Sequence, residues 1–193
     1  MLSDIRPAIV STVIFTALLG LLYPLAITGV AQAAFPYQAG GSLIHDAAGR
    51  VVGSALIAQG FAKAEYLHPR PSAAGANGYD ATASGGSNYG PLSADLAKRV
   101  KGDAAALRAS TGHAEIPDDA ITASGSGLDP DISPAYARLQ ADRIARARGA
   151  SPDAVRRIIE AHVQAPTLGF LGQPRVNVLM TNRALDAELP RKG

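Results

Sequence analysis

Between Arg6 and Asp46 the chain carries no formally charged side chain, and the first part of that gap, residues 8–34, is apolar almost without interruption. At about 1.5 Å per helical residue, residues 8–30 reach ~34 Å, enough to cross a hydrocarbon core of roughly 30 Å with a modest tilt. The pattern predicts a transmembrane helix over 8–34, a short segment 1–7 before it and a soluble domain, 35–193, after it. Ser11, Thr12, Thr16 and Thr28 can return their hydroxyl hydrogens to carbonyls one turn back, so none opposes insertion. Pro24 is the irregularity. It deletes one backbone hydrogen bond and predicts a kink near residues 20–23, a defect tolerated where a neighbouring helix or a hydroxyl takes up the freed carbonyl. Ala17, Gly20, Ala26 and Gly29 would admit such a helix closely; a lone anchor is the alternative.

Beyond the span, residues 42–46 and 51–59 lean to β structure around a turn containing Gly49, which predicts a hairpin. Residues 70–93 carry Gly75, Asn77, Gly78, Gly85, Gly86, Asn88 and Gly90 and predict a long loop. Loops above about 12–15 residues are uncommon in compact domains unless functional or disordered. Ser93 caps a helix with Leu96, Val100 and Leu107 on one stripe, ended by Gly112. A second loop, 117–133, precedes two helices that share a Ser-Pro start: Ser133-Pro134 through Arg148, and Ser151-Pro152 onward, with Val155, Ile158, Ile159 and Val163 as apolar face before Pro166. Residues 175–181 alternate like a strand that returns to the hairpin sheet, with a short helix at 183–189. The expected fold class is α+β: one N-terminal transmembrane helix followed by one mixed domain of a small sheet and several helices.

Composition narrows the chemistry. There is no cysteine, which excludes disulfides, thiolate zinc sites and cysteine nucleophiles. The net charge of +2 comes from interleaved acidic and basic residues, so nucleic acid is not a favoured partner. Tryptophan is absent, and the tyrosines and phenylalanines form no cluster that would stack bases. His45, His68, His113 and His162 stand alone, without zinc-site spacing, so no metal is expected. Gly85-Gly86-Ser87-Asn88 and Gly125-Ser126-Gly127 lack the lysine of a P-loop. Ala123-Ser124-Gly125-Ser126-Gly127 lacks the first glycine of a nucleophile elbow, which disfavours a hydrolase built on Ser124 or Ser126 with His113 or His162. Asp118, Asp119, Asp129 and Asp131 read as turn and capping chemistry rather than cation ligands. Arg70, between Pro69 and Pro71, either holds a carboxylate or phosphate or pins the loop in a salt bridge.

Arg6 and the terminal amine precede the span, whereas the next basic residue is Arg50; this orients the N-terminus to the cytoplasm and the domain to the periplasm of a bacterium. Ala31-Gln32-Ala33 fits a signal-peptidase site, but the apolar stretch exceeds the roughly 7–15 residues of a signal core, so a retained anchor is expected.

Gly53-Ser-Ala-Leu-Ile-Ala-Gln-Gly-Phe61, Tyr66-Leu-His-Pro-Arg-Pro-Ser-Ala73 and Tyr79-Asp-Ala-Thr-Ala-Ser-Gly-Gly-Ser-Asn88 resemble successive signatures of KdpC, the C subunit of the bacterial Kdp potassium-transporting P-type ATPase. Ile121-Thr-Ala-Ser-Gly-Ser-Gly-Leu-Asp-Pro-Asp-Ile-Ser-Pro134 and Pro166-Thr-Leu-Gly-Phe-Leu-Gly-Gln-Pro-Arg-Val-Asn-Val-Leu179 resemble the same family. The resemblance spans the chain, with His68-Pro69 departing from the small pair usual before Arg-Pro-Ser. It implies a non-catalytic accessory subunit of an ATP-driven, high-affinity potassium uptake complex in the bacterial inner membrane, which supports assembly and stabilises or activates the ATPase subunit. The implied partners are that ATPase subunit and a channel-like potassium subunit. The chain contains neither the phosphorylation motif Asp-Lys-Thr-Gly nor a filter such as Thr-Val-Gly-Tyr-Gly, in keeping with ATP chemistry and an ion path in other chains. Arg70, Asn77, Tyr79, Asp80, Asp129 and Asp131 are the expected docking residues, and no cofactor is expected. Members have also been described as catalytic chaperones that raise the nucleotide affinity of the ATPase subunit. Direct ATP contact would fall on Ser84, Gly85, Gly86, Ser87 and Asn88, but it conflicts with a domain on the outer face. An indirect effect through the kinked anchor and the channel-like subunit is the preferred reading.

Overall fold

The computed structural model describes residues 2–190. The chain divides into two compact units, Met1–Val52 and Gly53–Gly193. The first begins with α1 (Leu2–Ala17), a π-helical turn (Leu18–Leu22) and α2 (Tyr23–Ala34). Together, Ser3–Ala34 is long and apolar enough to cross a membrane. The irregularity expected ahead of Pro24 takes the form of that π turn: the Tyr23 amide donates to the Leu18 carbonyl, five residues back rather than four. Proline supplies no N–H for the Gly20 carbonyl and its ring crowds that oxygen, so the helix widens there. A short α3 (Pro36–Ala39) follows. Strand β1 (Leu43–His45) then pairs with β2 (Val51–Ser54) in the expected hairpin. Asp46 holds its turn, its Oδ1 accepting the amides of Ala48 and Arg50 at 2.9 Å each.

In the second unit, residues 55–93 form no helix or strand. Helix α4 (Ala94–Thr111), a 3-10 turn (Asp118–Ala120), β3 (Asp131–Ile132), α5 (Pro134–Leu139), α6 (Ala141–Arg148), α7 (Pro152–Ala161), β4 (Val163–Gln164), β5 (Arg175–Asn177) and α8 (Val178–Glu188) complete the fold. The helix starts follow local chemistry: the Ser93, Ser133 and Ser151 hydroxyls accept the amides of Leu96, Tyr136 and Ala154 at 3.3, 3.0 and 3.2 Å. Gly112 and Gly149 end α4 and α6 in the left-handed conformation, at φ 75° and 64°.

Four expectations are corrected. The alternating run near the C-terminus does not return to the hairpin: β5 is the middle of a separate three-stranded antiparallel sheet ordered β3-β5-β4, with Ile132 and Val163 both opposite Val176. Only Arg175–Asn177 is strand, because the Asn177 side chain accepts the Met180 amide at 3.1 Å and starts α8 at Val178 rather than 183. The helix expected from Pro134 to Arg148 breaks at Gln140, and α7 stops at Ala161, so Val163 packs from a strand rather than a helix face.

The core gathers between α6, α7, α8 and the sheet, where Ile144, Ala145, Val155, Ile159, Val176 and Leu185 are fully buried. Against it lies the irregular segment around Leu67, itself fully buried. With no neighbouring strand, its backbone bonds to side chains instead. Leu67 donates its amide to Asn182 Oδ1 at 2.7 Å, and Asn182 Nδ2 donates back to the Leu67 carbonyl at 3.0 Å. Gln140 does the same for His68, at 2.8 and 3.1 Å. Arg143 donates to the carbonyls of Ala64 and Tyr66 at 2.6 and 2.9 Å. The buried Arg148 donates to the carbonyls of Glu65 (2.8 Å), Leu185 (3.0 Å) and Leu189 (2.9 Å) and pairs with Asp186 at 2.9 Å, its guanidinium lying over the Tyr66 ring.

Asn182→Ala strands a buried amide and a buried carbonyl at Leu67, each costing about 1–3 kcal/mol. The expected loss is about 2–4 kcal/mol, read as a lowered midpoint in chemical denaturation of the detergent-solubilised chain, while Glu188→Gln, exposed on the same helix, leaves the midpoint in place.

Candidate functional site

The two glycine-rich loops singled out from the sequence pack on one another. Gly127, at φ +66°, is where they approach most closely: a Cβ there would stand 2.6 Å from the Gly85 carbonyl oxygen and 2.7 Å from the Ala74 amide nitrogen. Gly86 meets the same loop, a Cβ there lying 3.0 Å from the Gly125 carbonyl oxygen. The contact is hydrogen-bonded throughout. Gly85 N–H and Ser84 Oγ both donate to the Ser126 carbonyl, at 2.8 and 3.0 Å. Ser72 Oγ donates to the Gly127 carbonyl at 2.6 Å and accepts the Tyr79 amide at 2.8 Å. Ala58 N–H donates to the Leu128 carbonyl at 2.9 Å.

Arg70 sits at the centre. Its Nη1 pairs with Asp129 at 3.1 Å, and its remaining donors face the Thr122 and Ala123 carbonyls at 3.4 and 3.5 Å. Of the two roles open to this cation, the structure shows the ion pair that pins the loop. Tyr79 donates its hydroxyl to the Arg70 carbonyl at 2.8 Å, and burial raises its phenol above the ordinary range. Asp129 Oδ1 accepts the Asp131 amide at 3.0 Å. Asp131 pairs with Arg175 at 3.1 Å and accepts from Asn177 at 3.2 Å. Burial pushes the Asp131 carboxyl upward, against the downward pull of the Arg175 guanidinium. Asp119 fixes the start of α5, accepting the Ser133 amide and hydroxyl at 2.6 and 2.9 Å. Arg70, Asp118, Asp119, Asp129, Asp131 and Arg175 line an open cleft of about 560 Å³.

The structure thus brings together Arg70, Tyr79, Asp129, Asp131, Ser84 and Gly85, together with Ser72, Thr122, Ser126, Gly127 and Arg175, which sequence reasoning did not single out as a cluster. Asn77, Asp80 and Asn88 lie outside this knot and are exposed. Asp80 accepts the Thr82 hydroxyl and amide at 2.7 and 2.8 Å, which holds its carboxyl below the usual range. Gly86 and Ser87 are partly buried beside them. Ser124 Oγ lies 3.4 Å from Ser126 Oγ, and Ser126 Oγ accepts the Leu128 amide at 3.1 Å, so both hydroxyls serve the turn. Among the described residues no three His, Cys, Asp or Glu side chains are grouped to hold a metal ion. A feature the sequence reading passed over is the turn between β4 and β5. Thr167 and Leu171 exchange both backbone hydrogen bonds at 2.9 Å, leaving Leu168 and Phe170 79% and 73% exposed.

The family model described as KdpC: K+-transporting ATPase, c chain, matches residues 5–187. Similar proteins include the potassium-transporting ATPase KdpC subunit of Caulobacter sp. (strain K31), 66% identical over 100% of this chain and 98% of that protein. The protein of the same name from Caulobacter vibrioides (strain NA1000 / CB15N) is 68% identical over 98% of this chain and 96% of its own length. That of Beijerinckia indica subsp. indica is 59% identical over 98% and 96%.

Gly127→Ala forces the two loops apart and adds backbone strain, whereas Gly125→Ala meets nothing within 4 Å. The first is expected to cost about 2 kcal/mol or more and to speed protease nicking within residues 70–93; the second leaves both unchanged. His68 carries a separate pH dependence. Burial, helped by the Arg143 charge, lowers its pKa, and its Nε2 is 3.0 Å from the Lys63 carbonyl. The folded state therefore favours neutral imidazole, so the stability present above the unfolded pKa near 6.5 is lost as pH falls through the lower folded value. His68→Gln keeps a donor at that position, and denaturation midpoints compared at pH 7.5 and 5.5 should fall less in this variant than in the wild type.

Proposed function

The chain belongs to the KdpC family, the c chain of the K+-transporting ATPase, and on that premise we propose that it is a non-catalytic accessory subunit which supports assembly of the complex and stabilises or activates its ATPase subunit. Family membership makes it one subunit of a multi-subunit potassium-transporting ATPase, and Ser3–Ala34 gives it the means to associate with a membrane. The observation that carries the accessory reading is the state of the loop cluster. Arg70, Asp129, Asp131, Ser84 and Ser126, the residue types suited to chemistry, are committed to one another or to neighbouring backbone. ATP hydrolysis and the ion path then belong to the partners, an ATPase subunit and a channel-like potassium subunit. The N-terminus faces the cytoplasm and the domain the periplasm, as the placement of Arg6 and Arg50 favours. Docking uses the exposed rim of the loops, Asn77, Asp80, Ser84 and Asn88, with Arg70, Tyr79, Asp129 and Asp131 holding that rim in shape. On this topology any effect on nucleotide affinity is indirect, and Ser84, Gly85, Gly86, Ser87 and Asn88 contact a partner rather than ATP.

Co-expression of the full chain with the two partner subunits, followed by purification in mild detergent through a tag on the ATPase subunit, should recover all three together. Protease added outside spheroplasts should digest the domain. Failure to co-purify removes the accessory reading, and digestion only from the cytosolic side would favour direct nucleotide contact instead.

A further inference from the structure

The π turn at Leu18–Leu22 leaves two backbone oxygens without their ordinary donors. The Leu19 carbonyl loses the Tyr23 amide, which reaches back to Leu18 instead, and the Gly20 carbonyl loses its donor because residue 24 is proline. Both lie about 16 Å from either end of the 8–30 span, at the bilayer midplane. No water is available there, and an unpaired backbone group in hydrocarbon costs several kcal/mol. The helix cannot cure this itself. A side chain that bonds back one turn to these carbonyls would sit at residues 22–24, which are Leu22, Tyr23 and Pro24; leucine and proline have no donor, and the tyrosine hydroxyl stands at the far end of its ring. The same spot is open to a neighbour, since a Cβ on Gly20 would meet only the Thr16 methyl, at 4.0 Å.

We propose that this π turn is a notch for a transmembrane helix of a different subunit, which closes on Gly20 and donates a Ser, Thr, Asn or Gln side-chain hydrogen bond to the Leu19 or Gly20 carbonyl. A different subunit is the occupant because the chain belongs to a multi-subunit potassium-transporting ATPase, whose other chains can bring helices to the span. Two copies inserted with the same topology pack in parallel, and a symmetric pair presents Leu18–Leu22 to itself, a stretch with no side-chain donor. Of the hydroxyls a second copy would bring, those on Thr16 and Tyr23 lie about 5 Å and that on Thr28 about 12 Å away along the axis. The inference rests on the reading of the chain as a membrane-anchored subunit of the complex.

Two variants test it in the full complex. Pro24→Leu restores the missing amide and lets the helix satisfy both carbonyls internally; Gly20→Leu keeps the proline but fills the notch. An interhelical hydrogen bond in lipid is worth about 1–2 kcal/mol in model peptides, so each variant is expected to lower the fraction of assembled complex recovered on detergent dilution on the order of tenfold. The amount of variant chain in the membrane fraction should stay unchanged. Wild-type recovery for Pro24→Leu overturns the notch, as does a wild-type chain whose span cross-links to a second copy of itself instead of to another subunit. If the wild type does not assemble at all, the accessory reading and the notch fall together; if wild type and Pro24→Leu assemble equally well, only the notch falls.

Discussion

A backbone buried without a helix or strand beside it must find each of its hydrogen-bond partners elsewhere, since an unpaired amide or carbonyl costs about 1–3 kcal/mol. In the second unit that condition falls on residues 55–93, which cross the core at Leu67 with no ladder to join. Side chains from the helices stand in for the missing strand: the amides of Asn182 and Gln140 each both accept from and donate to one residue's backbone. Arg148 and Arg143 collect the carbonyls on the near side. The same guanidinium of Arg148 takes the Leu185 and Leu189 carbonyls at the end of α8, where a positive charge also meets the helix dipole favourably. One cation thus closes the last turn of a helix and anchors the loop beside it. The irregular segment and helices α6 and α8 consequently stabilise one another, and the glycine-rich loops inherit a rigid base.

What was legible in the sequence was local. The Ser-Pro starts of α5 and α7, the Ser93 cap and the left-handed glycines at 112 and 149 each act within a few residues, and the structure shows them where the pattern put them. The long apolar helix and the irregular stretch through 70–93 were equally plain. The illegible parts depend on partners far along the chain. Val176 and Val178 alternate as a strand does, yet Asn177 caps a helix between them, and alternation alone does not reveal a cap. Gln140 reads as a surface residue inside a helix until His68 is brought beside it, and satisfying that backbone coincides with the break between α5 and α6. Strand partners were misassigned for the same reason: strands of two or three residues carry too little pattern to choose a neighbour.

The candidate site shows how the same composition supports two arguments. Read from sequence, Gly85-Gly86 and Gly125-Ser126-Gly127 both lack the lysine of a P-loop, and only Ser84, Gly85, Gly86, Ser87 and Asn88 would take a direct ATP contact. In the structure, Gly127 is where two loops approach too closely for a side chain, Gly86 meets the facing loop tightly, and the Gly85 amide is taken by the Ser126 carbonyl. That packing is a sufficient reason for glycine at 127 and favours it at 86, so their presence does not by itself argue for an anion. Arg70 follows the same logic, since Asp129 and two loop carbonyls occupy the donors a ligand would need.

Both units meet the problem of a backbone polar group deprived of its regular partner, and they differ in the means available. In the second unit the polar side chains of α6 and α8 reach the deprived groups, so the solution is internal and contributes to stability. In the span, Pro24 and the widened turn before it free two carbonyls among residues that carry no donor at the right height, and the surrounding hydrocarbon supplies none. A lone anchor gains nothing from such a defect, because a leucine at position 24 would cross the membrane equally well with every carbonyl paired. The defect makes energetic sense where another helix completes it, which turns an intrinsic cost of the isolated chain into a preference for the assembled one.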